Sequence, residues 1–144
     1  EVVIVNWKHR KNTGEIIKEK SYKVEIKKLS SVWLEKITLP ELSLYDEYIS
    51  YEMIKDNKVI SSGTTIFCAP KHFKFINPNL NISVNGDEIT ILSDSYARSI
   101  EVINEEDNLL LEDNYFDINS GIHKVKIIKG EPKGLKVRSV YDIR

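Results

Sequence analysis

Residues 82–91 have the sequence Ile-Ser-Val-Asn-Gly-Asp-Glu-Ile-Thr-Ile, in which apolar and polar side chains alternate on both sides of an Asn-Gly-Asp turn. Alternation with a period of two is typical of a half-buried β-strand. Glycine supplies the positive φ angle that a tight hairpin turn needs. The stretch therefore predicts a β-hairpin.

The same two-residue period recurs along the rest of the chain, and a sustained helical period does not. Alternating apolar pairs occur at Val3/Val5, Tyr51/Met53, Ile100/Val102, Val125/Ile127 and Leu135/Val137. Isoleucine occurs 20 times, whereas alanine, the best helix former, occurs only twice. Short strands with frequent turn signals are typical of sandwiches and barrels, so the sequence predicts an all-β fold.

A connector that contains two prolines divides the chain. Pro70 and Pro78 bracket it, and proline cannot donate a hydrogen bond to a β-ladder. We place the boundary here and predict two domains, residues 1–77 and 78–144. The first half offers about five candidate strands and the second about seven. We therefore expect the first domain to be partial, with its opening strands upstream in a longer protein.

Composition excludes several classes of protein. The chain has 21 Lys+Arg against 22 Asp+Glu and a net charge of −1, so a nucleic-acid partner is not expected. It has no apolar run near the roughly 18 residues that a membrane span needs, so a membrane partner is not expected either. Its only cysteine, Cys68, allows no internal disulfide, which favours a cytoplasmic location.

The most distinctive segment is residues 111–121, Leu-Glu-Asp-Asn-Tyr-Phe-Asp-Ile-Asn-Ser-Gly. It resembles a stretch in the final sandwich domain of the β-mannosidases of glycoside hydrolase family 2. The matching residues are Asp113, Asn114, Tyr115, Phe116, Asp117 and Gly121, whereas Glu112, Ser120 and Ile122 depart from the family pattern. The first half resembles the preceding sandwich of the same enzymes through Trp7, Gly14, Ser30-Ser31-Val32 and Pro70-Lys71.

The resemblance implies two immunoglobulin-like antiparallel β-sandwich domains from the C-terminal end of such an enzyme. The parent would hydrolyse terminal β-mannosides with retention, using two glutamates on a (β/α)₈ barrel. A barrel needs about 250 residues, so it does not fit in this chain. We therefore expect a non-catalytic accessory portion with no catalytic, cofactor or metal-binding residues. Its partners would be the barrel and other domains of the same parent chain.

The alternative is a carbohydrate-binding or adhesin-type sandwich that binds glycan by itself. Exposed aromatic rings could stack on sugars, and the candidates for such a platform are Trp7, Trp33, Tyr45, Tyr48 and Tyr51. Buried sandwich aromatics are commoner, and we favour burial for this set. The triplet Asn81-Ile82-Ser83 is a glycosylation sequon, which matters only in a secreted protein.

Two acidic clusters have a functional and a structural interpretation. The oxygens of Asp113, Asn114 and Asp117 could bind Ca²⁺, but we favour side chains that cap nearby backbone N–H groups. Tyr115 and Phe116 between them are predicted to be core anchors. Residues 105–107, Glu-Glu-Asp, could supply a glycosidase carboxylate pair, but adjacent acids favour a solvated loop.

Two further clusters are predicted to be structural. Cys68 and His72 are too few ligands for zinc, which takes four, and we expect Cys68 to be buried on a strand. The basic run Lys8-His9-Arg10-Lys11 predicts a solvated strand end.

Overall fold

The computed structural model describes residues 1–143 and confirms the all-β fold. Two compact units make up the chain. The first comprises Glu1–Lys11 and Glu15–Phe73, and the second comprises Asn12–Gly14 and the chain from Lys74 onward. The division falls after residue 73, four residues before the boundary placed from the sequence. No helix within residues 1–143 has the length and apolar character that crossing a membrane requires.

The first unit contains a single antiparallel sheet in the order β2-β1-β3-β4. Its strands are β1 (Val2–Lys11), β2 (Ile16–Glu25), β3 (Glu47–Lys55) and β4 (Lys58–Thr65), and a short 3₁₀ helix spans Pro70–His72. Asp56 and Asn57 connect β3 to β4 with φ angles of 49° and 61°. Such left-handed angles at both central positions are typical of the tight turns that join antiparallel strands. A β-sandwich has two packed sheets, and this unit contains one sheet of four strands.

One face of this sheet is better buried than the rest of the unit. Val3, Trp7 and His9 alternate along β1 and are all buried. Ile49 of β3, directly opposite His9, is buried on the same face. Tyr48 is fully buried on the other face, where its ring meets that of Phe73 edge to face, with 6.5 Å between the centroids. Residues 26–46, between β2 and β3, form no strand and expose most of their side chains.

The second unit is a seven-stranded antiparallel sandwich. Its strands are β5 (Asn81–Asn85), β6 (Glu88–Ser93), β7 (Ala97–Ile103), β8 (Leu110–Leu111), β9 (Phe116–Ile118), β10 (Gly121–Lys129) and β11 (Lys136–Arg138). One sheet has the order β5-β6-β10-β8, and the other has the order β11-β7-β9. A one-turn helix, α1 (Val140–Ile143), follows β11.

The hairpin predicted at residues 82–91 is confirmed as β5 and β6. Ile82 lies opposite Ile91, Val84 lies opposite Ile89, and Gly86 has a φ angle of 63°. The two isoleucines of β6 are fully buried, whereas Val84 on the edge strand is exposed. Alternation therefore predicted the strands and their register, and the position of each strand in its sheet decides how deeply its side chains are buried.

The two sheets of the second unit share one hydrophobic core. Its buried members are Ile89, Ile91, Ala97, Ile100, Val102, Leu111, Phe116, Ile118 and Val125. Burial of a branched aliphatic side chain contributes roughly 1.5–3 kcal/mol, so this cluster is the main source of stability in the unit.

The turn Asn12–Gly14 has its contacts within the second unit. The Asn12 carbonyl accepts a hydrogen bond from the Tyr96 N–H at 3.1 Å, and the Asn12 amide donates to the Lys74 carbonyl at 2.7 Å. Gly14 has a φ angle of 90°, and a Cβ atom placed there would lie 1.8 Å from the carbonyl oxygen of Asn119. Both the backbone angle and this close approach require glycine.

We predict that Gly14→Ala lowers the free energy of unfolding of the second unit by more than about 2 kcal/mol. The added methyl group would meet a backbone carbonyl that cannot move without displacing β9. Gly86→Ala is the matched control, since its φ angle is also positive but no atom lies within 4 Å of the added Cβ. It should cost only about 1–2 kcal/mol. Denaturant unfolding of both variants measures the difference, and equal losses would contradict the steric argument.

Candidate functional site

The Asp113–Asp117 segment follows β8, includes the first two residues of β9, and binds the backbone of β7. The Asp117 Oδ1 atom accepts a hydrogen bond from the Ser99 N–H at 2.8 Å. The Asn114 Oδ1 atom accepts from the N–H groups of Tyr115 at 3.1 Å and Val102 at 3.4 Å. These oxygens therefore occupy the capping positions that the sequence favours for them. Within residues 1–143, no group of three His, Cys, Asp or Glu side chains is placed to hold a metal ion.

The bond from Ser99 to Asp117 meets a local need of the strand. The pairing between β7 and β9 shifts register between Ala97 and Ile100, and Ser99 has a φ angle of 51°. A bulge leaves its extra residue outside the ladder, so its N–H group needs another acceptor. The carboxylate of Asp117 is that acceptor.

Phe116 and Tyr115 have opposite environments. Phe116 is part of the core and stacks on the ring of His123, with 4.1 Å between the centroids. Burial lowers the pKa of His123, and the charges of Asp113 and Glu112 partly oppose that shift. Tyr115 is 64% exposed, so the prediction that it anchors the core is wrong.

The backbone explains why Tyr115 points outward. Its φ angle is 58°, in the left-handed region, so side-chain alternation does not hold at this residue. Its hydroxyl donates a hydrogen bond to the Glu101 Oε1 atom at 3.1 Å. The last residue of the motif, Gly121, also has a positive φ angle, 93°, at the start of β10.

Glu101 borders a cleft of about 710 Å³ in the second unit. The cleft lies between the end of β7, the loop that follows it, and β11. Its charged lining residues are Glu101, Glu105, Asp107, Lys133, Lys136 and Arg138. Strand pairing assembles one wall, because Arg138 lies directly opposite Glu101 and Lys136 lies directly opposite Ile103.

Two hydrogen bonds stabilise the ionised form of Glu101. Arg138 donates from Nε to one carboxylate oxygen, and Tyr115 donates to the other. The hydrogen bond from Arg138 lowers the pKa of Glu101 most, and the hydrogen bond from Tyr115 lowers it further. The same interaction with Glu101 raises the pKa of the Tyr115 hydroxyl. Glu101 is therefore an ionised acceptor, and it lacks the raised pKa of a general acid.

Backbone contacts hold the loop on the other side of the cleft. The buried Asn104 side chain accepts from the Asn108 N–H at 3.0 Å and donates to the Glu131 carbonyl at 3.0 Å. The Glu105 N–H donates to the Lys133 carbonyl at 2.9 Å. Hydrogen bonds within the second unit therefore hold this side of the cleft in place.

The acids at positions 105–107 are exposed and lie in this loop. Lys133 Nζ lies 3.5 Å from the Glu105 carboxylate, and Asn108 donates to the Glu106 carboxylate at 2.8 Å. These contacts suit the solvated loop that the sequence favours.

Cys68 and the basic run differ from the sequence-based expectations. Cys68 follows the end of β4 at Thr65 and is only half-buried, so the prediction of a buried strand cysteine is wrong. The expected solvated strand end is wrong for His9, which is buried with its Nε2 atom 2.8 Å from the Glu47 carboxylate. Asn81 of the sequon is exposed at the start of β5.

The five aromatic residues considered as a sugar platform have different exposures. Trp7 and Tyr48 are buried, as favoured from the sequence. The prediction of burial is wrong for the other three, because Trp33 is 94% exposed and Tyr45 and Tyr51 are about half exposed. The set as a whole therefore does not form one exposed platform.

We predict that Asp117→Ala lowers the free energy of unfolding by about 1–3 kcal/mol, because the Ser99 N–H loses its acceptor in a partly buried position. Asp117→Asn retains an oxygen at the same place and should cost less than half as much. Chemical denaturation compares the two variants. If asparagine were as harmful as alanine, the charge and not the hydrogen bond would be the stabilising feature.

Comparison with known proteins gives a family match for the first part of the chain and a structural match for nearly all of it. Residues 2–72 match the family model described as the Mannosidase Ig/CBM-like domain. A β-D-mannosidase from Dictyoglomus thermophilum is similar in structure, with a TM-score of 0.67 and 17% sequence identity. The similarity covers 96% of this chain but only 19% of that enzyme's chain. No curated protein matches the sequence. The family match and the shared fold confirm the resemblance found in the sequence: residues 2–72 match a mannosidase Ig/CBM-like domain, and the chain has the fold of part of a β-mannosidase.

Proposed function

We propose that this chain is the non-catalytic C-terminal accessory portion of a β-mannosidase-like enzyme of glycoside hydrolase family 2. The observation that carries the proposal is the family match of residues 2–72, extended by a fold similarity that spans 96% of this chain. The parent enzyme would hydrolyse terminal β-mannosides with retention, on a barrel elsewhere in its chain. The chain spans 19% of the length of that β-mannosidase.

The environment of Glu101 does not suit the acid of a glycosidase pair. A retaining glycosidase needs a nucleophilic carboxylate and, about 5 Å away, a carboxyl group with a raised pKa. The Arg138 guanidinium lowers the pKa of Glu101, which is the opposite direction. Glu101 is therefore not the general acid of such a pair, and the accessory proposal assigns both catalytic carboxyl groups to the barrel.

The exposed apolar residues of the first unit supply the proposed contact. Residues 26–46 expose Leu29 completely and Trp33 to 94%. Globular proteins seldom leave large clustered apolar side chains in water, and such patches often mark an interface. We propose that the remainder of the parent chain covers this segment. A cytoplasmic location, favoured by the single cysteine, is part of the same proposal.

Hydrolysis of a chromogenic β-mannoside tests the assignment directly. We expect the longer gene product to release the chromophore and residues 1–144 alone to release none, because the proposed catalytic pair lies outside this chain. A stopped absorbance assay with equal molar amounts measures both. Cleavage by residues 1–144 alone would contradict the accessory role, and cleavage of a different β-glycoside by the longer protein would contradict the mannosidase assignment.

Replacement of Trp33 tests the proposed contact. In the isolated chain, Trp33→Ser should change the free energy of unfolding by less than about 0.5 kcal/mol, because the side chain is already exposed. In the longer protein, where we expect Trp33 to be buried, the same change should cost about 3 kcal/mol or more. Thermal unfolding of both forms measures this difference.

Ile128→Ser in the second unit is the control, since Ile128 is also exposed, at 62%, and lies outside residues 26–46. Ile128→Ser should change the free energy of unfolding by the same amount in the isolated chain and in the longer protein. An equally small effect of Trp33→Ser in both forms would show that the parent chain does not cover residues 26–46.

A further inference from the structure

Strand β4 forms one edge of the sheet in the first unit, and β2 forms the other edge. An edge strand presents a row of backbone N–H and C=O groups that can pair with a further strand. Natural proteins usually protect such an edge with charged side chains, because a charge is costly to cover. The two edges of this sheet can therefore be compared by the charges that they carry.

Strand β2 is protected in this way, whereas β4 is not. The charged residues of β2 are Lys18, Glu19, Lys20, Lys23 and Glu25. In β4 the only charged residue is Lys58, at the first position of the strand. Residues 59–70 then contain no charged side chain, although 30% of the whole chain is charged. The β4 edge therefore opposes the addition of a strand much less than the β2 edge does.

Apolar side chains beside the β4 edge are only partly covered. Val59 is 56% exposed and Ile60 is 53% exposed. The half-exposed ring of Tyr51 reaches from β3 across Gly63, where an added Cβ atom would clash with the Tyr51 hydroxyl. A strand added at this edge would cover these side chains. Valine, isoleucine and threonine also form favourable cross-strand pairs, and β4 is rich in them.

We propose that β4 pairs antiparallel with β4 of a second copy of this chain, with Ser62 at the centre of the pairing. Ser62 is exposed and is the middle residue of the uncharged part of the strand, residues 59–65. In this arrangement each position from 59 to 65 faces an uncharged residue of the second copy, so no like charges oppose one another. The proposal does not depend on the accessory function.

The same geometry limits the size of the assembly. Antiparallel pairing of β4 with its own copy uses the same edge of both molecules, so the contact is closed by a two-fold axis. The edges that remain outside are the two charged β2 strands. Since these edges are protected, assembly stops at two copies.

Analytical ultracentrifugation of residues 1–144 from about 10 μM to about 1 mM tests the proposal. Pairing of one strand buries less than the roughly 1,200 Å² of a standard interface, so we expect a reversible, concentration-dependent dimer. Ser62→Lys brings two ammonium groups together at the centre of the pairing and should weaken the dimer about tenfold. Ser21→Lys is the matched control, because it makes the same change at an exposed serine of β2 and should leave the dissociation constant unchanged.

A variant of opposite charge separates association from folding. Ser62→Glu should weaken the dimer as Ser62→Lys does, whereas an equimolar mixture of the two variants should restore association, because the facing charges are then opposite. Restoration also requires that both variants are folded. A mixture that stays monomeric would overturn the proposal.

The unchanged chain and two other variants supply further decisive outcomes. Monomers over the whole concentration range, or assemblies larger than a dimer, would overturn the proposal. Equal weakening by Ser21→Lys would overturn it, because association would then involve β2. Loss of the dimer in Trp33→Ser would overturn it as well, because association would then involve residues 26–46.

Discussion

The hydrogen bond from the Ser99 N–H to the Asp117 carboxylate is the interaction on which the second unit depends. Strand β7 is the centre of its sheet, between β11 and β9, and it also supplies Ala97, Ile100 and Val102 to the core. A bulge at Ser99 interrupts its ladder with β9. Without a side-chain acceptor, a central strand would carry an unpaired N–H group at the edge of the core, which costs about 1–3 kcal/mol.

The same interaction determines what lies outside the core. Asp117 and Asn114 bind two points of β7, so the chain between them has little freedom. That restriction imposes the left-handed backbone on Tyr115 and directs its ring away from Phe116. The hydrogen bonds of Asn114 and Asp117 to β7 therefore also account for the exposure of the Tyr115 ring. The cleft acquires its hydroxyl donor to Glu101 from a segment whose main role is to close the sandwich.

Local patterns in the sequence were sufficient for the regular strands. The Asn-Gly turn and its alternating flanks predicted both strands of the hairpin, since side-chain period and turn chemistry agree there. The same logic failed at Tyr115, because alternation assumes an extended backbone and this residue is left-handed. It failed at Cys68 because the strand ends earlier, and at Trp33 because residues 26–46 form no strand.

The cleft could not be found from short-range spacing. Glu101 and Arg138 are separated by 37 positions and meet only because β11 pairs with β7. One signal was present in the sequence: both residues alternate with core positions of predicted strands, so both belong to an outer face. Pairing of those strands was the missing information, because a short strand such as Lys136–Arg138 fits several registers by its apolar pattern alone.

The two units contribute different kinds of evidence about function. The first carries the family match and an exposed tryptophan in a segment without regular structure. The second carries an ordered cleft with balanced charge and an exposed tyrosine beside it. Exposed apolar side chains such as Trp33 gain free energy by leaving water, so they suit contact with another part of a protein. A polar cleft gains little in that way, because its charged groups lose hydrogen bonds to water when they are covered. The exposed apolar side chains of the first unit therefore fit the proposed contact with the parent chain, whereas the charged cleft of the second unit does not suit such a contact.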